Sequence, residues 1–425
     1  MLVGSVLLGV MIALVLLGMP VAFAIGIASA AAIFGGHYSL IILPQKILAG
    51  MDSFPMLAIP FFVLAGNLMT GGGITDRILD FTRAAVGWVR GSLGIVTVCA
   101  SAIFAAISGS GTATVTAIGG ITIPAMKKDG YPAELSAAIA ASASILGPLI
   151  PPSIILIVYG NSVQASIRDL FLAAVLPGLL LAGGILLLVF LLARRLDLPV
   201  GEKLEPQRLV RETRKGIWAL LMPVIILGGI FGGVFTPTEA AAISAAYAFV
   251  VGAFVYRDLD RATTMRVIYD SCITSTIMLF VVGCSKASSW VLAVARVPDS
   301  IAAGLLSVTD VPFLLLLLIN AFLLFVGMFM EANVAVVIFT PILLPIAVAC
   351  GLSVVQFGVV MCFNLCLGLL TPPLGLCALL GNNIAEGRLE VTLRWCVWFF
   401  AIGAALLMAT TYIPALTVWL PALLK

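Results

Sequence analysis

Two short polar segments lie inside long apolar stretches of the sequence, and both could bind a cation through oxygen atoms. Their glycines allow the backbone to approach a ligand closely, and hydroxyl and carbonyl oxygens coordinate Na⁺ where membrane helices are interrupted. An ionisable residue at membrane depth, here Glu331, is also a functional candidate. The two segments, named here the first and second tips, read Ser108-Gly109-Ser110-Gly111-Thr112 and Gly327-Met328-Phe329-Met330-Glu331-Ala332-Asn333.

Two further segments, named here the first and second breaks, combine glycine and proline inside apolar runs. Proline removes a backbone donor and clashes with a preceding carbonyl, so no continuous helix can pass through either segment. In a membrane the freed carbonyls need a cavity or a bound ion. Paired broken helices indicate the ion and substrate sites of a secondary transporter. The breaks read Gly147-Pro148-Leu149-Ile150-Pro151-Pro152-Ser153 and Gly368-Leu369-Leu370-Thr371-Pro372-Pro373-Leu374.

Each tip, completed by the break of the same half, forms one candidate site. The first tip could instead be a flexible turn or a close helix contact, and Glu331 could instead cap the helix that follows it. The residues assigned to sodium are Ser108, Ser110, Thr112, Gly147, Ile150, Ser153, Gly327, Glu331, Asn333, Gly368, Thr371 and Leu374. The residues assigned to the substrate are Gly109, Gly111, Pro151, Pro152, Ala332, Pro372 and Pro373.

The composition excludes an ordinary soluble domain. Of 425 residues 62% are hydrophobic and 10% are charged, and the mean hydropathy is +1.23, which is typical of a helical, polytopic membrane protein. The sequence offers no nucleophile–base pair, phosphate loop or paired Cys/His ligand spacing, and His37 is its single histidine. We therefore expect neither an enzyme nor a nucleic-acid-binding protein, and no cofactor besides a coupling ion.

The segments around the tips predict re-entrant hairpins rather than pairs of spans. In the first hairpin, at about 91–126, each flank of the tip has about 14–17 residues, which is short for a membrane span at 1.5 Å per residue. A second hairpin is predicted at about 312–349, and broken helices are predicted at about 133–160 and 354–381. We expect the charged stretch 194–215 to be a cytoplasmic linker between two halves.

A gap-free numerical offset of 221 relates these halves. It places Pro124 on Pro345, Gly130 on Gly351 and Gly147 on Gly368, and it superimposes the paired prolines of the breaks. We predict two repeats, 1–193 and 216–425, each with five crossings and one re-entrant hairpin. An odd number of crossings makes the second repeat enter from the opposite face, which gives an inverted repeat. Within the breaks, the offset aligns Ile150 with Thr371 and Ser153 with Leu374, so the side-chain ligands should differ between the two sites.

Lysines and arginines favour one orientation of the chain. With the N-terminus outside, most of them, including those of the 194–215 stretch, lie on the cytoplasmic side, as the positive-inside rule requires. Two other polar features have simpler explanations. Thr236-Pro237-Thr238-Glu239 has the pattern of a capping box, and Lys286 could extend its amine to the membrane surface, although it could also be a counter-charge for the substrate.

The motifs together resemble the large membrane subunit of tripartite ATP-independent periplasmic (TRAP) transporters over nearly the whole chain. The resemblance rests on the first tip and on three other stretches. These are Phe235-Thr236-Pro237-Thr238-Glu239-Ala240-Ala241, Gly327-Met328-Phe329-Met330-Glu331 and Phe339-Thr340-Pro341-Ile342-Leu343-Leu344-Pro345.

The resemblance implies a sodium-driven importer of a carboxylate-bearing solute, such as a sialic acid or a C4-dicarboxylate, in the bacterial inner membrane. It implies an elevator-type ion-transporter fold, in which a transport domain slides against a scaffold. It also implies two partners, a separate small membrane subunit of about four helices and a periplasmic solute-binding protein. A stand-alone carboxylate exchanger or symporter without a binding protein is the alternative, and general likeness favours sialic acid as the solute.

Overall fold

A computed structural model describes residues 2–201, 205–297, 311–372 and 375–424. Within these ranges the regular secondary structure is helical, and one isolated antiparallel bridge joins Arg90 to Val200. The substrate assignment of Pro373 and the sodium assignment of Leu374 fall outside the described residues.

The helices of the first half follow the predicted order. Both hairpin arms and the broken helix begin and end close to the predicted positions. The helices are α1 (Leu2–Leu16), α2 (Val21–Gly35), α3 (Ile42–Met51), α4 (Ala58–Gly71), α5 (Ile74–Val86), α6 (Ser92–Ser108), α7 (Gly111–Thr114), α8 (Gly120–Lys128), α9 (Ala133–Ser144), α10 (Leu146–Leu149), α11 (Ile154–Val163) and α12 (Ile167–Arg195), with a π-helical turn at Val115–Gly119.

The second half contains a longer helix where the first half has two. Helix α15 runs without interruption for 34 residues, whereas Pro55, in a short 3-10 turn, separates α3 from α4. The helices are α13 (Pro206–Phe231), α14 (Pro237–Val250), α15 (Arg261–Val294), α16 (Pro312–Phe329), α17 (Ala332–Ala349), α18 (Val354–Gly368), α19 (Leu376–Ala385), α20 (Leu389–Tyr412) and α21 (Ala415–Leu423).

Within the described ranges, nine helical segments are long and apolar enough to cross a membrane, counting Ala133–Val163 with its break as one. The prediction of an all-α polytopic membrane protein is therefore confirmed. Ala133–Val163 is buried over its most apolar window, and nearly every residue of α18 is buried too. The two broken helices thus form the centre of the molecule, and the other spans surround them.

Part of the expected linker differs from what the sequence predicts. Residues 206–215 of the expected linker are the first turns of α13, because Pro206 suits a helix start and the buried Glu212 carboxylate pairs with both Arg211 (2.8 Å) and Lys215 (3.2 Å). The short stretch around Lys46 is also helical, as α3, and packs against α15.

The element bounds of the two halves agree with the offset of 221. Gly111 and Ala332 begin the returning arms of the two hairpins, and Ala133 and Val354 begin the two broken helices. Each pair differs by 221 positions. This agreement supports the repeat, while its inversion across a membrane stays a prediction.

A buried polar network joins α16, α18 and α20 at the centre. Asn364 donates through Nδ2 to Asn320 Oδ1 (2.6 Å), and Asn320 in turn donates to the Thr411 hydroxyl (3.2 Å). Gln356 donates to the backbone carbonyls of Thr410 and Thr411. All three amide side chains are at most 1% exposed, so they fix the relative positions of the three helices within an apolar interior.

Replacing Asn364 by alanine is expected to lower the free energy of unfolding by about 1–2 kcal/mol, because Asn320 then lacks its buried donor. Denaturant titration of the purified protein in detergent measures this change. The exposed Asn383 on α19 provides the matched control, whose alanine variant should stay within about 0.5 kcal/mol of the parent protein. Equal effects at both positions would contradict a stabilising role of the network.

Helix α15 forms a long wall that packs against α2, α3 and α4. Asp260 caps its start by accepting a hydrogen bond from the Thr263 amide (2.7 Å), and the side-chain and backbone donors of Thr263 hold the pKa of Asp260 below its usual range.

The predicted capping box of α14 is confirmed, since Thr236 and Glu239 exchange both hydrogen bonds.

Candidate functional site

The first tip connects α6 to α7 through two residues with contrasting backbone conformations. Gly109 has a φ of 61°, in the left-handed region that favours glycine. Ser110 is extended and caps α7 by accepting a hydrogen bond from the Ala113 amide (3.4 Å). The Ser-Gly-Ser-Gly-Thr sequence therefore reverses the chain between α6 and α7.

Four hydroxyl groups form two pairs at and beside this tip. Ser108 Oγ lies 3.3 Å from Thr114 Oγ1, and Ser110 Oγ lies 3.2 Å from Thr112 Oγ1. Thr114 also donates to the Ser110 carbonyl (2.7 Å). Thr114 is fully buried and was missed in the sequence, although its position one helical turn after Ser110 offered a signal.

The first break encloses the first tip. Methyl groups built on the two glycines show how close the backbones are: a Cβ on Gly147 would lie 2.5 Å from the Ser110 carbonyl oxygen, and one on Gly109 would lie 2.7 Å from the Pro152 carbonyl oxygen. Ser153 caps α11 by accepting from the Leu156 amide and donates to the Pro148 carbonyl. The tip and the break therefore interlock through backbone contacts.

The second break meets the second tip through a different glycine pair. A Cβ on Gly368 would lie 2.4 Å from the carbonyl carbon of Gly327, which belongs to the last turn of α16. In the first half the corresponding contact is to Ser110, beyond the end of α6. The Thr371 hydroxyl donates to the Gly368 carbonyl (3.0 Å), so this side chain is engaged with its own break.

The second tip carries an unpaired acceptor. Asn333 donates through Nδ2 to Glu331 Oε1 (2.5 Å). Its other amide atom, Oδ1, is buried and accepts no hydrogen bond from any described residue. Glu331 occupies the N-cap position of α17, with its carboxylate near the backbone amides of Asn333 and Val334. A carboxylate beside an unpaired amide oxygen is a donor set that suits a hard cation.

The two tips face each other across one cavity of about 390 Å³. Its walls also include residues of α2 and α15 and the residues that follow each break. The lining residues from the tips are Gly109, Ser110, Gly111, Thr112, Glu331, Ala332 and Asn333. The structure thus brings together seven of the predicted site residues, four from the first tip and three from the second, although the two tips lie more than 200 positions apart in the chain.

The other predicted residues lie behind this cavity or beside it. Pro151 and Pro152 are buried under the first tip, and Pro372 is exposed but lines neither cavity at the tips. Ser108 lines a second cavity of about 660 Å³, which also contacts Ser110 and Thr112. Gly147 packs against Ser110, and Gly368 packs against Gly327 of the second tip. Ile150 is buried next to Gly178 of α12, while Ser153 and Thr371 form hydrogen bonds within their own breaks.

Lys286 lies away from both cavities. It is partly buried on α15, and its side chain covers Gly50 of α3. Within the described ranges it makes no hydrogen bond and no ion pair. This position gives no support to a role as substrate counter-charge.

Comparison with known proteins identifies the family. The family described as "Tripartite ATP-independent periplasmic transporter, DctM component" matches residues 8–416. The chain belongs to this DctM family. Its members are permease subunits of transporters, so the resemblance noted in the sequence is confirmed.

Similarity to individual members extends over most of this DctM-family chain. The large permease protein DctM of a C4-dicarboxylate TRAP transporter from Pseudomonas aeruginosa is 39% identical over 89% of this chain and 89% of the relative. The large permease protein SiaM of a sialic acid TRAP transporter from Vibrio cholerae is 35% identical over 96% of this chain and 95% of the relative. Relatives named for two different solutes are thus about equally similar.

A solved structure supports the fold. The YdaH transporter of Alcanivorax borkumensis superimposes with a TM-score of 0.59 over 90% of this chain and 89% of the other, at 16% identity. At this identity the match shows a shared membrane-transporter fold and nothing about the solute.

Proposed function

We propose that this chain is the permease subunit of a sodium-coupled importer of a carboxylate-bearing solute. The observation that carries the proposal is the meeting of the two tips at one cavity, where hydroxyl groups face a carboxylate and a buried amide oxygen that has no hydrogen-bond partner among the described residues. Membership of the DctM family supports transport, and the oxygen-only set of side chains supports Na⁺ as the coupling ion.

Sodium binding is proposed at each tip. At the first, Ser108, Ser110 and Thr114 present hydroxyl oxygens near the Ser110 carbonyl. At the second, Glu331 Oε1 and Asn333 Oδ1 are the side-chain ligands. The substrate then occupies the cavity between them, in contact with the small residues Gly109, Gly111 and Ala332 that leave room for it.

The solute class is proposed from the family and from this cavity. Its volume of about 390 Å³ lies in the range of small-molecule sites, which admits a C4-dicarboxylate or a sialic acid. Because the chain is about equally identical to relatives named for C4-dicarboxylates and for sialic acid, both kinds of solute should be tested as probes. We further propose that a small membrane subunit and a periplasmic solute-binding protein complete the transporter in the bacterial inner membrane, with the N-terminus in the periplasm.

An elevator movement is the proposed mechanism. The tips and breaks interlock through their glycines, and Cys362 of α18 donates to the Pro148 carbonyl (3.2 Å), which joins the two halves. Lys127 Nζ also donates to the carbonyl of Ala385 at the end of α19 (2.6 Å). We propose that these contacts join the tips and breaks into one body, which slides along α15 and the helices α2 and α4 that pack against it.

Uptake into proteoliposomes tests the function. With the small subunit in the membrane and the binding protein outside, an inward sodium gradient should raise the initial uptake of labelled succinate or N-acetylneuraminate at least tenfold over an equal potassium gradient. Equal uptake in potassium would contradict sodium coupling. Full uptake without the binding protein would instead favour a stand-alone exchanger or symporter.

A further inference from the structure

The larger cavity continues from the first tip along one face of α15. The α15 residues that line it fall at positions i, i+3, i+4, i+7, i+11 and i+15, which places them on one side of the helix. Between the first and the last of them lie fifteen helical steps, or about 22 Å along the axis. The lining residues of α15 are Thr263, Arg266, Val267, Asp270, Thr274 and Met278.

One end of this cavity is the site proposed above. Ser110, Thr112, Thr274 and Met278 line both cavities, so the two cavities adjoin at the first tip. The other end lies near the start of α15, where the Arg266 side chain is 84% exposed. A solute that leaves the tip in this direction therefore passes Arg266.

The other polar groups of the cavity wall already have partners. The Thr116 hydroxyl donates to the Thr112 carbonyl (2.9 Å), and the Thr70 hydroxyl donates to the Gly66 carbonyl (3.0 Å). Asn67 donates to the Ser271 hydroxyl on α15 (2.9 Å). Among the described residues that line either cavity, Arg266 is the single cation.

Arg266 is held loosely. Its partner is Asp270 on the next turn, with 3.8 Å between Arg266 Nε and Asp270 Oδ2, and both side chains are largely exposed. An exposed pair at this separation contributes little. The guanidinium can therefore exchange Asp270 for another carboxylate, whose two oxygens match its planar donors.

We propose that Arg266 is a transient binding residue for the carboxylate of the solute, on the release path between the first tip and the start of α15. Asp270 pairs with Arg266 when no solute is present, and this ion pair forms again after the solute is released. This inference rests on the proposed function, because it requires an anionic solute that moves through the cavity. By the positive-inside rule the start of α15 is cytoplasmic, so the residue acts on the internal side.

Trans-inhibition of uptake tests the inference. Proteoliposomes with the small subunit are loaded with rising concentrations of unlabelled solute, and sodium-driven uptake of the labelled solute is started with the binding protein outside. External binding protein restricts the measurement to molecules of one orientation. We expect Arg266→Gln to raise at least fivefold the internal concentration that halves uptake. The external KM and the sodium dependence should stay within twofold, because the tips are unchanged.

Three variants define the controls. Arg266→Lys keeps the charge and should restore much of the internal affinity. Arg261→Gln removes an exposed arginine of the same helix that lines neither cavity and should behave as the parent protein. Asp270→Asn frees Arg266 and should lower the internal half-inhibiting concentration.

Each outcome has a defined meaning. An Arg266→Gln variant with parental internal affinity overturns the inference, and so does an Arg261→Gln variant with the same defect. An Asp270→Asn variant with unchanged internal affinity overturns the exchange between carboxylates. A parent protein that takes up neither succinate nor N-acetylneuraminate contradicts the proposed function. A parent protein that transports, together with an Arg266→Gln variant of parental internal affinity, contradicts only the inference about Arg266.

Discussion

Replacing either Gly147 or Gly368 by alanine is expected to reduce sodium-driven uptake at least a hundredfold. The added methyl group would lie 2.5 Å from the Ser110 carbonyl oxygen or 2.4 Å from the Gly327 carbonyl carbon. These neighbours are backbone atoms, so tip and break must move apart by several tenths of an ångström. Ion and substrate sites tolerate about 0.5 Å of displacement, and misplacement of about 1 Å can cost a hundredfold in rate.

A glycine in open surroundings gives the matched control. Gly183 lies within α12, and no heavy atom of another element lies within 4 Å of a Cβ built there. Gly183→Ala should keep parental uptake, because alanine favours a helix. Initial uptake rates, normalised to the amount of protein that elutes as a single species in detergent, measure all three variants. Parental uptake by Gly147→Ala or Gly368→Ala would contradict the close contact between tip and break.

Replacing Asn333 by leucine is expected to raise the half-saturating sodium concentration by about tenfold or more, since loss of one ligand or its support costs about 10–100-fold in metal affinity. Leucine keeps the volume of the side chain but removes both the unpaired Oδ1 and the donor to Glu331. The helix around position 333 is buried and apolar, so the exchange should preserve the fold. Uptake rates over a sodium titration give the half-saturating concentration.

The sodium effect must be separated from a general loss of activity. Asn383→Leu makes the same exchange at an exposed position of α19 and should leave the sodium titration unchanged. The KM for the solute at saturating sodium should change less than the sodium requirement in Asn333→Leu. An unchanged sodium titration in this variant would remove Asn333 from the proposed sodium site.

The places of the tips and breaks could be predicted because glycine and proline act locally. A proline inside an apolar run interrupts a helix whatever surrounds it, so the positions of Gly147 and Gly368 marked the breaks before any contact was known. In the same way Ser110 and Glu331 marked the hairpin tips. In the second hairpin, α16 begins at the predicted start of the hairpin, and α17 begins directly after Glu331 as the second arm.

The contacts between distant segments could not be predicted. The repeat suggests equivalent partners for Gly147 and Gly368, but their partners differ. Gly147 packs on Ser110, which lies beyond the end of α6, whereas Gly368 packs on Gly327, which lies within α16. Pro151 was assigned to the substrate but lies buried behind the tip. Such details depend on how helices pack, and packing involves residues far apart in the chain.

The class of protein, the family and the places where helices break could be predicted from the amino-acid sequence alone, because hydropathy, helix propensity and proline geometry are properties of short segments. The packing of distant segments was needed to show that both tips line one cavity, that Asn333 Oδ1 has no hydrogen-bond partner among the described residues and that Arg266 lines the larger cavity. These features arise between α15 and the hairpins, whose residues are brought together by burial of apolar surface rather than by any local pattern.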